Sequence, residues 1–224
     1  HKVLETIKDD LSRIKKKYGD ARKTKVIKGK VGEWSDEDLI KEEDVLITLT
    51  QSGYVKRLPS DTYKTQGRGG KGVIGSSLRE GDTIPEMHTA STHDDLLFFT
   101  NKGRVYALKT WDLPEASRTA KGTAVVNVLN LMPEEKVNAI VPLRKGDDSI
   151  KHLFMATKNG TVKRTDLTQF DNIRKNGIIA IKLDEDDDLS WVKPTSGNDQ
   201  IMVISELGKS IRFKEGQIRS MGRN

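Results

Sequence analysis

Residues 96–108 read LLFFTNKGRVYAL: an apolar run, a polar turn that ends in a glycine, and a second run rich in β-forming residues. This pattern predicts an antiparallel β-hairpin. The same pattern occurs at residues 45–58, 153–164 and 201–213. The turn glycines Gly53, Gly103, Gly160 and Gly208 are 50, 57 and 48 residues apart. The chain therefore contains an internal repeat of about 50 residues, a spacing typical of propeller-type blades.

Each hairpin is followed by a polar loop with a small glycine-containing turn. The first three loops, at residues 66–72, 121–122 and 175–177, lead into a further apolar run, and the fourth, at 220–223, comes at the end of the sequence. A repeat left unfinished would expose strand edges, which native folds avoid. We therefore expect the chain to be a fragment of a longer protein, with three repeats and the start of a fourth.

The region before the first repeat predicts one helix and a linker. Apolar residues recur at three- and four-residue steps from Leu4 to Tyr18, and Gly19 ends the pattern. Residues 21–43 show little periodicity. We therefore expect an all-β, propeller-like fold with a partial set of blades over residues 44–224, preceded by one N-terminal α-helix within residues 1–20.

The composition excludes several classes of site. The 224 residues include no cysteine, which rules out disulfides, Cys-ligated zinc and thiol catalysis and fits a reducing compartment. No apolar run reaches the roughly 18 residues of a membrane span, so no membrane contact is expected. The four histidines and four tyrosines form no acid–base, nucleophilic or metal-binding pattern. No catalytic residue and no metal site is therefore predicted.

The formal net charge of +6 is unevenly distributed. Residues 1–30 carry 11 Lys and Arg against four Asp and Glu, whereas acids cluster at 33–44 and 184–188. On a single blade, edge lysines are explained as a block to aggregation. Because cations recur in every hairpin, we expect a curved basic track that binds double-stranded DNA through its phosphates, without base readout. The acidic run at 184–188 is expected in a connecting loop that faces away from the DNA.

The predicted track takes its cations from the hairpins and from the loops that follow them. Its members are Lys56, Arg57, Lys102, Arg104, Lys109, Arg118, Lys121, Lys163, Arg164, Arg174, Lys175, Lys209, Arg212 and Lys214.

The most specific motif is a seven-residue loop, called here the box. It consists of Gln66, Gly67, Arg68, Gly69, Gly70, Lys71 and Gly72. The glycines permit positive φ and close approach of the backbone, and the two cations and exposed amides suit phosphate. The loop also matches G-x-G-x-x-G, but no helix pattern follows, which argues against a dinucleotide site. A Walker loop needs Ser or Thr where Gly72 stands.

The box resembles the GyrA-box, QRRGGKG, of the C-terminal domain of the bacterial DNA gyrase A protein, with Gly67 in place of the first arginine. The stretches at residues 18–20, 91–94 and 114–122 also resemble sequences of this family. The resemblance implies a six-bladed β-pinwheel whose neighbouring blades exchange strands. It implies that the domain binds and wraps DNA, which directs ATP-dependent negative supercoiling by the holoenzyme, and that the box closes the wheel and is needed for wrapping.

The resemblance also implies the surroundings of the domain. Residues 1–20 would be the tail helix of the breakage-reunion core of the gyrase A protein, which carries the catalytic tyrosine. Two gyrase A and two gyrase B chains would assemble as an A2B2 holoenzyme in the bacterial cytoplasm, at the nucleoid. ATP and Mg²⁺ would bind other domains or subunits, so no cofactor is expected in this chain.

Two other interpretations remain open at this point. The equivalent domain of topoisomerase IV shares the repeat but has a degenerate or absent box. A propeller-type protein-interaction module would present aromatic or apolar loop patches, whereas Trp34, Trp111 and Trp191 are scattered singly.

Overall fold

The computed structural model describes residues 2–20, 24, 36–62, 68 and 81–223. The chain divides into two compact units, His1–Asp36 and Glu37–Asn224. In the first unit, α1 (Lys2–Tyr18) is amphipathic and has no buried residue. The amide of Gly19 donates to the carbonyl of Lys15 (2.8 Å) where the helix ends, close to the predicted position.

A second helix, α2 (Asp36–Leu39), has only four residues and lies in the stretch predicted to be a linker. Strands follow throughout the rest of the described chain. They are β1 (Asp44–Leu49), β2 (Tyr54–Pro59), β3 (Glu86–Ser91), β4 (Asp95–Thr100), β5 (Arg104–Lys109), β6 (Thr123–Ala124), β7 (Val137–Leu143), β8 (His152–Thr157), β9 (Val162–Asp166), β10 (Ile178–Ile179), β11 (Leu189–Thr195), β12 (Gln200–Ile204) and β13 (Ser210–Lys214).

Within the described residues, these strands form four antiparallel sheets, each containing one of the predicted hairpins. The strand orders are β3-β1-β2-β6 in blade 1, β10-β5-β4-β7 in blade 2, β11-β8-β9 in blade 3 and β12-β13 in blade 4. The predicted all-β, propeller-like fold is confirmed.

Neighbouring blades exchange strands. β6 follows the hairpin of blade 2 in sequence, but it pairs with β2 of blade 1 through Tyr54↔Ala124 and Val55↔Thr123. In the same way, β10 follows the hairpin of blade 3 and pairs with β5 of blade 2. Each exchanged strand covers backbone groups that would otherwise lie at an open sheet edge.

The hydrophobic core lies between the sheets and not within any one of them. Leu96 and Phe98 of β4 pack with residues of blade 1, whereas Leu97 and Phe99 pack with residues of blade 3. Successive side chains of a strand point to opposite faces. The unbroken apolar run of β4 is therefore the expected sequence of a strand that is covered on both sides.

The strands differ in position within each sheet. β3, β7 and β11 lie side by side where the first three sheets converge. β2, β5 and β9 lie on the other side of their hairpins, and we call this side the outer edge. In the described part of the chain, no helix is long and apolar enough to cross a membrane.

Candidate nucleic-acid interface

The outer edge is crossed by segments that arrive from the following blade, called straps here. Strap 2 (residues 114–124) begins in a parallel bridge, Arg57↔Glu115, and ends as β6. Strap 3 (residues 171–179) ends as β10 on blade 2. Strap 4 (residues 218–223) repeats the parallel bridge on blade 3 as Arg164↔Ser220. The straps are the polar, glycine-containing loops that the sequence repeat predicts.

Two glycines allow the straps to approach the outer strands closely. Gly122 has φ +89°, and a Cβ atom there would lie 2.6 Å from the carbonyl oxygen of Val55. Gly177 has φ +68°, and a Cβ atom would lie 2.7 Å from the Tyr106 ring. A side chain at either position would therefore be strained by the left-handed backbone conformation and would also collide with the outer strand.

The straps carry cations on the outer edge. Arg118 and Lys121 are half-buried on strap 2, and the Lys121 ammonium lies 3.8 Å from the centroid of the Tyr54 ring. Arg174 and Lys175 are exposed on strap 3. Cations that reach the surface in this way can contact the phosphates of a polyanion.

Strap 4 adds two arginines that the sequence-based prediction missed. Arg219 is exposed and Arg223 is half-buried. Arg223 and Arg118 are equivalent, because each lies three residues beyond the parallel bridge of its strap. An alignment of the repeats on these strap positions, and not on the hairpin glycines alone, is the signal that finds Arg223.

The prediction that Lys56 and Lys163 face DNA needs correction. They are only 3% and 6% exposed. The Lys56 ammonium donates to the carbonyls of Arg118 and Ala120, both at 2.8 Å. Burial lowers the pKa of both lysines, and the neighbouring Arg223 charge lowers that of Lys163 further. Their charge is directed into the fold and away from solvent.

Four further predicted cations make contacts within the protein. Arg57 donates to the carbonyl of Leu113 (3.2 Å) and lies 3.6 Å from the Glu115 carboxylate. Arg164 lies 3.8 Å from the fully buried Glu215. Lys109 pairs with Asp95 at 2.8 Å.

The fourth, Arg104, bonds to strap 3 through the carbonyl of Asn176 (2.6 Å). It also lies 3.5 Å from Glu135. These contacts reduce the charge that Arg104, like the other three residues, presents outward.

The acidic run does not lie apart from the predicted basic track. Lys102 is exposed, but it lines an open cleft together with Arg104 and the acids at 184–188. The run is held against the hairpin turns: Asn101 donates to Asp188 (3.3 Å), and the amide of Asn159 donates to Asp187 (3.0 Å). At blade 2 the acidic side chains therefore share a cleft with Lys102. This corrects the prediction that the acidic run faces away from the basic track.

The remaining predicted residues lie in blade 4 and in the box. Lys209, Arg212 and Lys214 are exposed on the last hairpin. Arg68 is described and exposed. The other box residues, Gln66, Gly67, Gly69, Gly70, Lys71 and Gly72, lie outside the described residues.

Comparison with known proteins places these repeats in context. The model of the family "DNA gyrase C-terminal domain, beta-propeller" matches residues 44–84, 94–144, 151–196 and 199–224. The DNA gyrase A protein of Streptococcus pyogenes serotype M3 is 48% identical over 223 residues, which are 100% of this chain and 27% of that protein. The chain therefore spans about a quarter of the length of this curated relative.

Solved structures give the same architecture. The C-terminal domain of DNA topoisomerase IV matches with a TM-score of 0.67 and 26% identity, over 82% of this chain and 55% of that one. The DNA gyrase A C-terminal domain matches with a TM-score of 0.62 and 27% identity, over 81% of this chain and 58% of that one.

Proposed function

Because the chain belongs to the DNA gyrase C-terminal domain family of β-propellers, we propose that it binds double-stranded DNA along its outer edge and wraps it. The observation that carries this proposal is the repetition of cation-bearing straps on successive blades. These cations are Arg118 and Lys121, Arg174 and Lys175, and Arg219 and Arg223. Straps that carry cations on successive blades match a polymer that carries charge at regular intervals.

The free energy of phosphate contacts is large enough to offset the cost of bending DNA. Bending 20–30 base pairs by 40–90° costs on the order of 1–6 kcal/mol. Contacts to several phosphates offset this cost, and each lowers log K by roughly 0.9 for every tenfold rise in salt. Binding is therefore expected to be independent of base sequence and to weaken steeply as salt is added.

In the longer protein, the wrapped DNA would serve gyrase activity. The domain would present a DNA segment to the cleavage core of the gyrase A protein, and so direct ATP-dependent negative supercoiling by an A2B2 holoenzyme that includes the gyrase B protein. ATP and Mg²⁺ would bind outside this chain. Residues 1–20 would be the tail helix of the core, 21–43 a linker and 44–224 the blades. The protein would act in the bacterial cytoplasm, at the nucleoid.

The test is a DNA topology assay. Relaxed, nicked plasmid is incubated with the chain, the nicks are closed by ligase, and the change in linking number is read on a gel. Chiral wrapping predicts a positive shift that decreases steeply with salt. An absence of DNA binding at low salt would contradict the proposal and favour a protein-interaction module.

The box supplies a matched variant for this assay. Arg68→Ala combined with Lys71→Ala is expected to reduce the linking-number shift more than it reduces binding, because the strap cations remain. A variant that removes two exposed cations of blade 4, Lys209→Ala with Arg212→Ala, is the control for lost charge. Equal losses of wrapping and binding in the box variant would contradict a geometric role for the box.

A second candidate is the equivalent domain of topoisomerase IV. It is supported by the match to the solved topoisomerase IV domain, whose TM-score of 0.67 exceeds the 0.62 of the gyrase domain. DNA binding without any change in linking number would favour this candidate. The 48% identity to a gyrase A protein over the whole chain favours gyrase.

A further inference from the structure

The buried lysines of blades 1 and 3 occupy the same place in the repeat. Lys56 follows its turn glycine, Gly53, by three residues, and Lys163 follows Gly160 by the same number. Both lysines lie on an outer strand, β2 or β9, beneath the strap of the next blade. Edge lysines usually extend into solvent, so their burial needs a structural explanation.

Lys56 holds the middle of strap 2. The ends of this strap are fixed by backbone contacts: the amide of Ala116 donates to Arg57 (3.0 Å), and the amide of Val125 donates to Gly53 (2.9 Å). Between them, the two carbonyls at Arg118 and Ala120 accept from the Lys56 ammonium. This contact fixes the turn that carries the side chains of Arg118 and Lys121.

Lys163 makes the equivalent contact with strap 4. Its ammonium donates to the strap carbonyl of Arg223 at 2.6 Å. It also donates to the carbonyl of Ala180, the residue after strap 3, at 3.2 Å. The amide of Met221 donates to Arg164 (2.9 Å) just before this point. Arg118 and Arg223 are equivalent strap residues, so the two lysines bond to the same backbone carbonyl of the repeat.

In blade 2 the strap is also held by a cation of the outer strand, but this cation is at a different position. Tyr106 occupies the position of the two lysines, and its hydroxyl donates to Glu135 (2.6 Å). Strap 3 is held instead by Arg104, which donates to the carbonyls of Asn176 (2.6 Å) and Gly177 (3.3 Å). A cation on the outer strand therefore bonds to strap carbonyls in each of the three blades.

We propose that Lys56 and Lys163 are positioning residues that hold the straps in place for DNA binding, and that the strap side chains, not these lysines, contact the phosphates. The inference deepens the proposed function and rests on it. An ammonium that already donates to two carbonyls in a buried site would have to break those bonds to reach a phosphate, whereas the exposed ammonium of Lys175 needs no such change.

The two lysines serve as matched controls for each other. Methionine keeps the apolar stem of lysine and removes the ammonium. Lys56→Met is expected to speed hydrogen exchange of the strap 2 amides by about tenfold or more while strap 4 is unchanged, and Lys163→Met is expected to do the reverse. A general loss of stability would instead speed exchange in both straps. Unchanged exchange in both variants would overturn the inference.

The salt dependence of DNA binding separates positioning from phosphate contact. Lys175→Met should make the slope of log K against log salt shallower by roughly 0.9, the loss of one phosphate contact. It should leave strap exchange unchanged. If Lys56→Met gave this result, a slope change with an unaltered strap, Lys56 would be a phosphate contact and the inference would be wrong.

A measurement on the unsubstituted chain covers the case in which a variant does not fold. Without DNA, acylation followed by mass spectrometry should label Lys56 and Lys163 at least about tenfold more slowly than Lys102 and Lys175. DNA should slow the labelling of Lys175. Without DNA, labelling of Lys56 and Lys163 at the rate of Lys175 would overturn the inference. If DNA protected no lysine, the proposed function would fail, and the exchange data would still test whether the lysines hold the straps.

Discussion

Lys56 and Lys175 carry the same charge in very different surroundings. Lys56 lies in a hairpin strand and Lys175 in the polar loop after a hairpin, and the sequence pattern predicts a DNA contact for each. The structure buries Lys56 beneath a strap that lies 62 residues later in the chain and leaves Lys175 exposed. The role of a cation in this fold therefore depends on whether a strap crosses it.

A glycine substitution tests the close approach of strap 2. Gly122→Ala should destabilise the chain by about 2–4 kcal/mol, because the left-handed backbone and the collision with Val55 both oppose a Cβ atom. Gly53→Ala is the matched control: its φ of +80° is similar, but no atom lies within 4 Å of the added Cβ. It should cost about 1 kcal/mol. Urea unfolding measures both, and equal costs would contradict the close approach.

At the scale of single elements, β4 shows why an apolar run without alternation is a strand here. Both of its faces are buried, because blades lie on either side. β12 has a similar apolar sequence, but Met202 and Ile204 are 58% and 62% exposed. The two strands differ in their neighbours and not in composition.

Alanine substitutions should separate these two strands. Leu96→Ala and Leu97→Ala should each cost about 2–5 kcal/mol, although their side chains point in opposite directions, because each leaves a cavity in a packed core. Ile204→Ala should change stability by only about 0.5 kcal/mol. The free energy of unfolding in denaturant is the measurement. A small cost for either leucine would contradict a core on both sides of β4.

At the scale of the whole blade assembly, one ion pair links blades that are not neighbours in the chain. Lys193 of blade 3 lies 2.8 Å from Glu86 of blade 1, and His88 lies 3.2 Å from the same carboxylate. Burial acts to raise the pKa of Glu86, but the hydrogen bond and charge of Lys193, together with those of His88, outweigh it and lower the pKa below its ordinary 4.5.

This ion pair should make part of the stability sensitive to acid. Since the folded pKa of Glu86 is depressed, its contribution is present above pH 4.5 and is lost as the pH falls through the lowered value. Glu86→Gln removes the titrating group. The stability difference between the unsubstituted chain and this variant should therefore shrink between about pH 5 and pH 3. Denaturant unfolding at several pH values measures it, and a constant difference would argue against the ion pair.

Residue patterns that act locally were enough to predict much of this protein. The hairpins follow from β-forming runs around turn glycines, the period of about 50 residues predicts propeller-like blades, and the spacing from Leu4 to Tyr18 predicts α1. The box and the similar stretches outside it point to the gyrase family. Each of these features depends on residues that are close in sequence, so their pattern is visible without the fold.

The surroundings of the cations were decided only by the tertiary structure. Strand exchange brings a strap from one blade onto the outer strand of the blade before it, and this contact converts Lys56 and Lys163 from apparent surface charges into buried donors. It also makes Arg223 equivalent to Arg118. Burial is set by segments some 60 residues apart, and a local pattern carries no information about which distant backbone will cover a side chain.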